Sequence, residues 1–136
     1  MTRRSRAREV VLQVLYQDDL NPSRDLAVSE QFLRARLLHD GELIEFAMQL
    51  LSGVRRNRGE LDAVLASRTD NWSLERMAAT DRNVLRLGAF EILYTQTPGR
   101  VAVNEAVELA KRYGSKQSAQ FVNGILDGLL PDKQRP

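Results

Sequence analysis

Apolar residues recur at intervals of three and four along most of the chain, which is the spacing of one face of an α-helix. Glycine and proline fall mainly between the periodic segments, and no segment alternates with the period of a β-strand. We therefore expect an all-α protein of about seven helices. The pattern predicts helices at about 5–20, 26–38, 42–55, 60–67, 81–94 and two more within 100–130, with a single turn at 74–78.

Residue types near the predicted helix ends give more specific expectations. Thr80 is predicted to cap the helix at 81–94, and Ser115 is predicted to cap the last helix. Gly114 is expected to end the preceding helix in the left-handed conformation. Gly88 and Gly124 lie inside predicted helices, where glycine lowers helix stability by about 1 kcal/mol against alanine. We expect a close approach of two helices at each of them.

The composition limits the chemistry that the protein can perform. A length of 136 residues predicts one domain spanning 1–136. The absence of cysteine excludes disulfides, thiolate catalysis and cysteine metal sites, and the one histidine, His39, offers little imidazole chemistry. Trp72 is expected to anchor its turn against the core. No apolar run approaches the ~20 residues of a membrane helix, so we expect a cytoplasmic protein.

The sequence does not favour an enzyme. It contains no glycine-rich phosphate loop, no serine or cysteine nucleophile motif and no histidine-rich metal spacing. Glu105 and Glu108 share a helix face, but Glu108 stands four residues before Arg112, in the favoured order for an ion pair. Glu105 and Asn104 are better interpreted as capping the start of that helix. We expect neither catalysis nor a cofactor.

Positive charge is concentrated at the start of the chain. The formal net charge is +2, yet the first ten residues alone carry Arg3, Arg4, Arg6 and Arg8 against Glu9. These arginines fall in the first turns of a predicted helix, where the helix dipole is already positive and disfavours them. The pattern indicates an external anion such as a nucleic-acid phosphate, and a frayed, solvated tail is the alternative.

Reading an unpaired nucleic acid requires aromatic rings on which exposed bases stack. Phe121 lies near the start of the last helix, beside Lys116, Gln117 and Gln120, whose side chains can bond phosphates or base edges. Tyr16 on the first helix is a second candidate ring. Periodicity leaves both rings open between core packing and stacking, with core packing favoured.

Three separated segments are distinctive. They are RSRAREVVLQVLYQ near the start, NWSLERMAATDRNVLRLGAFEI in the middle, and VAVNEAVELAKRYG with FVNGILD near the end. Together they cover most of the chain, and they resemble, in order and spacing, the NusB family of bacterial transcription antitermination factors. The helix predicted at 26–38 resembles that family least.

The resemblance implies a compact helical domain of two packed sub-bundles. It further implies that the protein binds boxA, a short single-stranded element of nascent ribosomal transcripts, together with NusE, a ribosomal small-subunit protein. That assembly acts within the antitermination complex of RNA polymerase and other Nus factors. The resemblance also places an acidic residue in many relatives where this chain has Gln117, and losing that negative charge should ease the approach of phosphate.

The residues and the resemblance together give a predicted site. The arginine-rich start and the start of the last helix are expected to lie side by side as one patch. The predicted RNA-binding residues are Arg3, Arg4, Arg6, Arg8, Tyr16, Lys116, Gln117, Gln120 and Phe121. The predicted NusE-binding residues are Arg76, Asp81 and Arg82.

Two other functions are compatible with a helical domain. The first is a protein–protein interaction module that binds no RNA, which would be unaffected by replacing the N-terminal arginines with glutamine. The second is the related domain at the front of some ribosomal RNA methyltransferases. Because the chain ends at Pro136, without room for a cofactor-binding domain, the methyltransferase alternative is not expected.

Overall fold

The helices predicted from the apolar period are present. A computed structural model describes residues 2–69 and 73–131, and Trp72 lies outside this described part. Within it the chain forms seven α-helices and one 3₁₀ turn, and each boundary predicted for the first five helices lies within two residues of the observed one. The elements are α1 (Arg3–Leu20), α2 (Leu26–Arg36), α3 (Gly41–Arg56), α4 (Arg58–Ala66), the turn Leu74–Arg76, α5 (Ala79–Tyr94), α6 (Gly99–Tyr113) and α7 (Ser118–Asp127).

The helices pack as two groups that share a common core. In the first group, α1 packs against α2 and α3; in the second, α5, α6 and α7 pack against one another and α4 packs on α5. Contacts of α1 and α3 with α5 join the groups. The interior is filled mainly by leucine, valine and alanine, including Leu51, Leu85, Val103 and Leu126, none of which is exposed. The all-α fold of two packed sub-bundles is thus confirmed.

Several predicted helix ends differ from the observed ones. α5 begins at Ala79, so Thr80 lies inside the helix and does not cap it. Gly114 has φ −96° and ψ −169°, which is extended backbone and not the left-handed conformation. Ser118 is the residue whose hydroxyl accepts a hydrogen bond here, from the backbone N–H of Ser115 at 2.9 Å. The capping roles predicted for Thr80 and Ser115 and the conformation predicted for Gly114 are therefore wrong.

The two glycines predicted at close helix crossings behave differently. A Cβ atom at Gly88 would lie 2.6 Å from Leu126 Cδ1 and 3.2 Å from Ala106 Cβ, so α5 meets α6 and α7 here so closely that an added methyl group would have to displace the end of Leu126. A Cβ atom at Gly124 would meet nothing within 4 Å. The prediction is confirmed for Gly88 and wrong for Gly124, because Gly124 lies on the exposed face of α7.

None of the helices in the described ranges combines the length and the apolar character needed to cross a lipid bilayer.

Candidate nucleic-acid interface

Three of the four N-terminal arginines are exposed at the start of α1. The side chain of Arg3 is 66% exposed and forms an ion pair with Asp40, and that of Arg6 is 47% exposed. The guanidinium carbon of Arg4 lies 4.5 Å from the centroid of the Phe46 ring. Exposed ion pairs contribute about 0–1 kcal/mol, so phosphate can replace the carboxylate partner of Arg3 at little cost. Arg3, Arg4 and Arg6 are therefore available to an anionic ligand.

Arg8 is in a different environment. It is 4% exposed, and its Nε and Nη2 donate to the two carboxylate oxygens of Glu91 at 2.7 and 2.8 Å. Burial opposes the charge, but the hydrogen bond and the charges of Glu91 and Glu105 outweigh it and raise the pKa of Arg8 above its ordinary value. Direct contact of Arg8 with RNA does not fit this burial, because the guanidinium is enclosed and already paired. Arg8 instead holds α1 against α5.

Glu105 belongs to the same internal network. Its Oε1 accepts hydrogen bonds from Ser5 Oγ at 2.6 Å and from Arg8 Nη1 at 3.3 Å. It lies well inside α6, whose N-cap is Pro98. The predicted capping role is therefore wrong for Glu105, which instead ties the first turn of α1 to α6. Two carboxylates, those of Glu91 and Glu105, lie against the buried arginine, and sequence periodicity did not indicate either contact.

α1 lies alongside α6. Ser5 is level with Glu105, and one turn further on Glu9 accepts hydrogen bonds from Arg112 and, at 3.0 Å, from the hydroxyl of Tyr113. Arg112 thus pairs with Glu9 and not, as predicted, with Glu108. The start of α1 faces the first half of α6, whereas α7 begins beyond the end of α6.

This arrangement separates two regions that were predicted to be side by side. Glu105 and Tyr113 are eight positions apart, which is about 12 Å along the helix, so the N-terminal arginines and the start of α7 lie near different parts of α6. Exposed basic side chains occur in both regions and at the end of α6, and we refer to them together as the basic strip. The basic strip consists of Arg3, Arg4, Arg6, Arg112 and Lys116.

Phe121 lines a surface cleft at the far end of the basic strip. Its ring is half-buried and packs against the core, so it is neither fully exposed nor enclosed. The cleft has a volume of about 340 Å³ and lies between the start of α7 and the segment that leads into α5. We refer to it as the Phe121 cleft. Its lining residues are Arg76, Met77, Ala78, Asp81, Ser115, Gln117, Ser118 and Phe121.

The Phe121 cleft brings together two residue sets that were predicted separately. Gln117 and Phe121 come from the predicted RNA-binding set, and Arg76 and Asp81 from the predicted NusE-binding set. Arg76 is exposed, and one carboxylate oxygen of Asp81 is buried without a hydrogen-bond partner. A buried acceptor without a partner is destabilising by about 1–3 kcal/mol unless a ligand or water supplies a donor. Lys116 and Gln120 are exposed close by in sequence.

The guanidinium of Arg82 is mostly engaged in hydrogen bonds within the protein. Its Nε donates to Asp19 at 2.8 Å, and its Nη1 donates to the backbone carbonyls of Leu74 and Met77 at 2.8 and 3.1 Å. The side chain is 14% exposed. A direct role in partner binding does not fit these contacts. Arg82 instead fixes the segment before α5, which carries Arg76 into the Phe121 cleft.

Tyr16 lines a second, smaller cleft of about 230 Å³ between α1, the start of α5 and the end of α6. We refer to it as the Tyr16 cleft. Tyr16 itself is half-buried, which fits a ring that packs on one side and faces the cleft on the other. Sequence reasoning did not assign a role to two of its neighbours, Gln13 and Tyr113, although both lie in the segments that carry the family resemblance. The lining residues are Leu12, Gln13, Tyr16, Gln17, Thr80 and Tyr113.

A broad groove of about 950 Å³ adjoins the arginine end of the basic strip. Phe46 of α3 forms part of its wall, beneath the guanidinium of Arg4, and Tyr94 and Val101 are exposed at its far side. The sequence did not single out Phe46, since its spacing fits an ordinary core position. No group of three or more His, Asp or Glu side chains in residues 2–69 and 73–131 is placed to hold a metal ion.

In the described ranges the chain is a small all-helical domain of seven packed helices, with exposed basic side chains and a cleft lined by an aromatic ring. Comparison with known proteins points to one family over nearly the whole chain. The NusB family model matches residues 5–131, and the chain belongs to the NusB family.

Relatives and solved structures agree with this assignment. The chain is 44% identical to the transcription antitermination protein NusB of Anaeromyxobacter dehalogenans (strain 2CP-1), over 98% of this chain and 96% of the relative. It is 39% identical to that of Myxococcus xanthus over the full length of both. It is similar to T. maritima NusB, with a TM-score of 0.84, 36% identity, and coverage of 99% of this chain and 93% of that one.

A further similar structure is a crystal structure of the antitermination factors NusB and NusE in complex with dsRNA. The TM-score is 0.82 and the identity 27%, with coverage of 95% of this chain and 96% of that chain.

Proposed function

We propose that this protein is a transcription antitermination factor that binds single-stranded boxA RNA together with NusE and supports processive elongation by RNA polymerase. Membership of the NusB family supports the proposal, because its curated relatives are named transcription antitermination proteins. The observation that carries it furthest is the Phe121 cleft, where residues predicted for RNA and residues predicted for NusE line one concave surface.

The basic strip supplies the attraction for the RNA backbone. Arg3, Arg4 and Arg6 are exposed at one end, and Arg112 and Lys116 continue the positive charge towards the other. Such contacts hold a phosphate backbone and set its position, but they do not read bases. The basic strip therefore accounts for the affinity and the orientation of the bound RNA, but not for a preference among RNA sequences.

The Phe121 cleft supplies the contact to an unpaired base. A base stacked on an aromatic ring gains about 1–3 kcal/mol, and the half-buried ring of Phe121 is held rigidly enough by the core to act as a platform. Gln117 and the unpartnered oxygen of Asp81 line the same space and offer hydrogen bonds to a base edge. This geometry favours a single strand over a duplex, whose bases are already stacked.

NusE completes the RNA surface beside Arg76. With a formal net charge of only +2 and one platform ring, the protein alone binds RNA weakly. NusE bound at the Arg76 and Asp81 side of the Phe121 cleft extends the surface, so that the two proteins hold the strand jointly. In this proposal the whole chain 1–136 acts as one cytoplasmic, non-catalytic domain without a cofactor, alongside other Nus factors.

A titration tests the proposal. Fluorescently labelled single-stranded boxA RNA is titrated with the protein, with NusE and with their equimolar mixture, and the same sequence is titrated as a duplex. The mixture is expected to bind the single strand much more tightly than either protein alone and more tightly than it binds the duplex. Equal affinities with and without NusE contradict joint binding.

Two matched variants separate RNA binding from a protein-interaction module. In the first, Arg3, Arg4 and Arg6 are changed to glutamine. In the second, three exposed arginines of α2 and α3 that are not part of the basic strip, Arg34, Arg36 and Arg56, are changed to glutamine. Only the first variant is expected to lose RNA affinity. Retained NusE binding with no RNA binding by the unaltered protein would establish the interaction module instead.

A further inference from the structure

We propose that Asp40 competes with the RNA phosphate for Arg3, so that the free protein binds single-stranded RNA less tightly than its exposed arginines alone would allow. The proposal rests on the proposed RNA binding and deepens it, because it names a residue outside the predicted RNA-binding set that regulates the same site.

Asp40 is the N-cap of α3 and faces Arg3 of α1. Its Oδ1 accepts a hydrogen bond from the backbone N–H of Leu43 at 3.2 Å, and its Oδ2 accepts one from Nη2 of Arg3. The capping bond restrains the carboxylate, so the helix end presents it to Arg3 in one position. The side chains of Arg3 and Asp40 are 66% and 33% exposed, which leaves Arg3 within reach of an RNA phosphate.

The turn before α3 also fixes Asp40. Leu38 and His39 have φ angles of 55° and 57°, in the left-handed region that residues with a side chain seldom adopt. Such a conformation persists only where the surrounding structure holds it. Here the N–H of His39 donates to the carbonyl of Arg34 at 3.0 Å, and the N–H of Asp40 donates to the carbonyl of Leu37 at 3.1 Å. The Asp40 carboxylate is therefore held beside Arg3 before any RNA binds.

Asp40 differs from Glu9, the carboxylate that pairs with other members of the basic strip. The side chain of Glu9 is 5% exposed; it pairs with Arg112, lies 3.7 Å from Nη1 of Arg6 and accepts a hydrogen bond from the hydroxyl of Tyr113. Taking its cationic partners away leaves a buried charge, which is strongly unfavourable. Asp40 stays hydrated when Arg3 turns to a phosphate, so Asp40 is the carboxylate that RNA can displace.

The competition lowers affinity because Arg3 has to leave Asp40 before it contacts a phosphate. Asp40 is ionised at neutral pH, and the hydrogen bond from Arg3 lowers the pKa of its carboxyl further below the ordinary value. Because both groups are exposed to solvent, the effect is modest and weakens as salt is added. Phosphate contacts do not read bases, so the loss of affinity is the same for every RNA sequence.

The test compares Asp40→Asn with Asp25→Asn. Each change removes one negative charge and leaves an equally good cap, but Asp25 caps α2 through the N–H of Ala27 at 2.9 Å, whereas Asp40 pairs with Arg3. Binding of labelled r(U)12 and of labelled boxA RNA is measured at low salt by fluorescence anisotropy. Asp40→Asn is expected to raise both affinities about three- to fivefold, and Asp25→Asn less than about twofold.

The same substitution in an Arg3→Gln protein identifies the cause. Asp40→Asn is expected to change the affinity of that protein less than about twofold, because no arginine is then released from Asp40 and none brings a phosphate to it. A gain that persists in full without Arg3 overturns the inference. So does an Asp40→Asn gain no larger than that of Asp25→Asn, or a gain confined to one of the two RNAs.

These outcomes leave the proposed function standing, since the unaltered protein still binds RNA in each of them. Absence of RNA binding by the unaltered protein and by Asp40→Asn, with and without NusE, would remove both proposals. Urea unfolding checks that the two asparagine variants are folded, and their stabilities are expected to be similar to that of the unaltered protein because both caps are retained.

A measurement on the unaltered protein detects the displacement itself. On addition of r(U)12, the side-chain carboxyl ¹³C resonance of Asp40 is expected to move towards its position in the free Arg3→Gln protein. An Asp40 resonance that stays in place while the backbone amides of Arg4 and Arg6 shift would show that RNA binds without taking Arg3 from Asp40, and it would contradict the inference.

Discussion

Arg8 and Glu91 form a bidentate ion pair inside the protein, with donor–acceptor distances of 2.7 and 2.8 Å. The side chains are 4% and 2% exposed, so water does not share in the interaction. The pair joins α1 to α5, and Glu105 adds a contact from α6. It thereby fixes the position from which the first turn of α1 presents Arg3, Arg4 and Arg6. In this protein one arginine of the N-terminal cluster is structural and three face outwards.

The first prediction concerns Arg8. Arg8→Ala is expected to lower the free energy of unfolding by about 3–5 kcal/mol, because Glu91 is left buried without its partner. The double variant Arg8→Met with Glu91→Leu is expected to recover most of this loss, since neither charge remains. Urea denaturation measures both. An Arg8→Ala protein of unaltered stability that has lost RNA affinity would show that Arg8 contacts RNA after all.

The second prediction concerns salt. Each phosphate contact on a single strand contributes about −0.7 to the slope of log affinity against log salt concentration, so Arg3, Arg4 and Arg6 together contribute about −2. Changing the three to glutamine is expected to reduce the magnitude of the slope by about 2. RNA titrations between low and moderate salt give the slope. A similar reduction on changing Arg34, Arg36 and Arg56 would instead indicate non-specific charge attraction.

The third prediction concerns Phe121. Phe121→Ala is expected to weaken binding of single-stranded RNA by about 1–3 kcal/mol through loss of a stacked base. Phe32→Ala is the control, since Phe32 is a half-buried ring on α2, which packs on α1 and α3. RNA titration and urea denaturation of both variants separate affinity from stability. Equal losses of RNA affinity would mean that Phe121 acts only through packing.

The fourth prediction concerns Asp19 at acid pH. Burial opposes its ionisation, but hydrogen bonds from Arg82 and Asn83 and the charges of Arg82 and Arg86 outweigh burial and lower the pKa of Asp19. Because the pKa is lower in the folded protein, this stabilisation is fully present above the unfolded value of about 4 and is lost as the pH falls through the folded value.

Asp19→Asn is accordingly expected to lower the free energy of unfolding by about 2 kcal/mol at neutral pH. The difference from the unaltered protein should shrink between about pH 5 and pH 2. Urea denaturation across this range measures it. Asp25→Asn is the control, because asparagine is an equally good cap for α2 and should change little at any pH. A difference for Asp19→Asn that is constant with pH would exclude the charge as its cause.

The helices were predictable because the pattern of apolar and polar residues that determines each helix lies within its own segment. The apolar period in α3 and α5 places Leu51 and Leu85 inside, and the same period sets the ends of the helices to within two residues. The exact caps were less predictable. Ser118 was not distinguishable from Ser115 by residue type, since both are serines within the same turn and only the backbone path decides which hydroxyl accepts.

The candidate site was predictable only in part, because the residues that contact its side chains are distant from them in sequence. Arg8 looks like its arginine neighbours until Glu91, 83 residues further along the chain, is brought against it by the fold. Arg82 is paired with Asp19 across 63 residues in the same way. Phe121 and Arg76 were each predicted from their own segment, but no sequence pattern indicated that they line one cleft.

The most direct test of the central claim maps the RNA onto the protein. ¹H–¹⁵N spectra of the labelled protein, recorded while unlabelled single-stranded boxA RNA is added, report which backbone amides change environment. We predict the largest shifts at both ends of the basic strip, in residues 2–6 and 115–121, with little change in α2. Shifts confined to one of these ends, or concentrated in α2, would contradict the strip that joins the N-terminal arginines to Phe121.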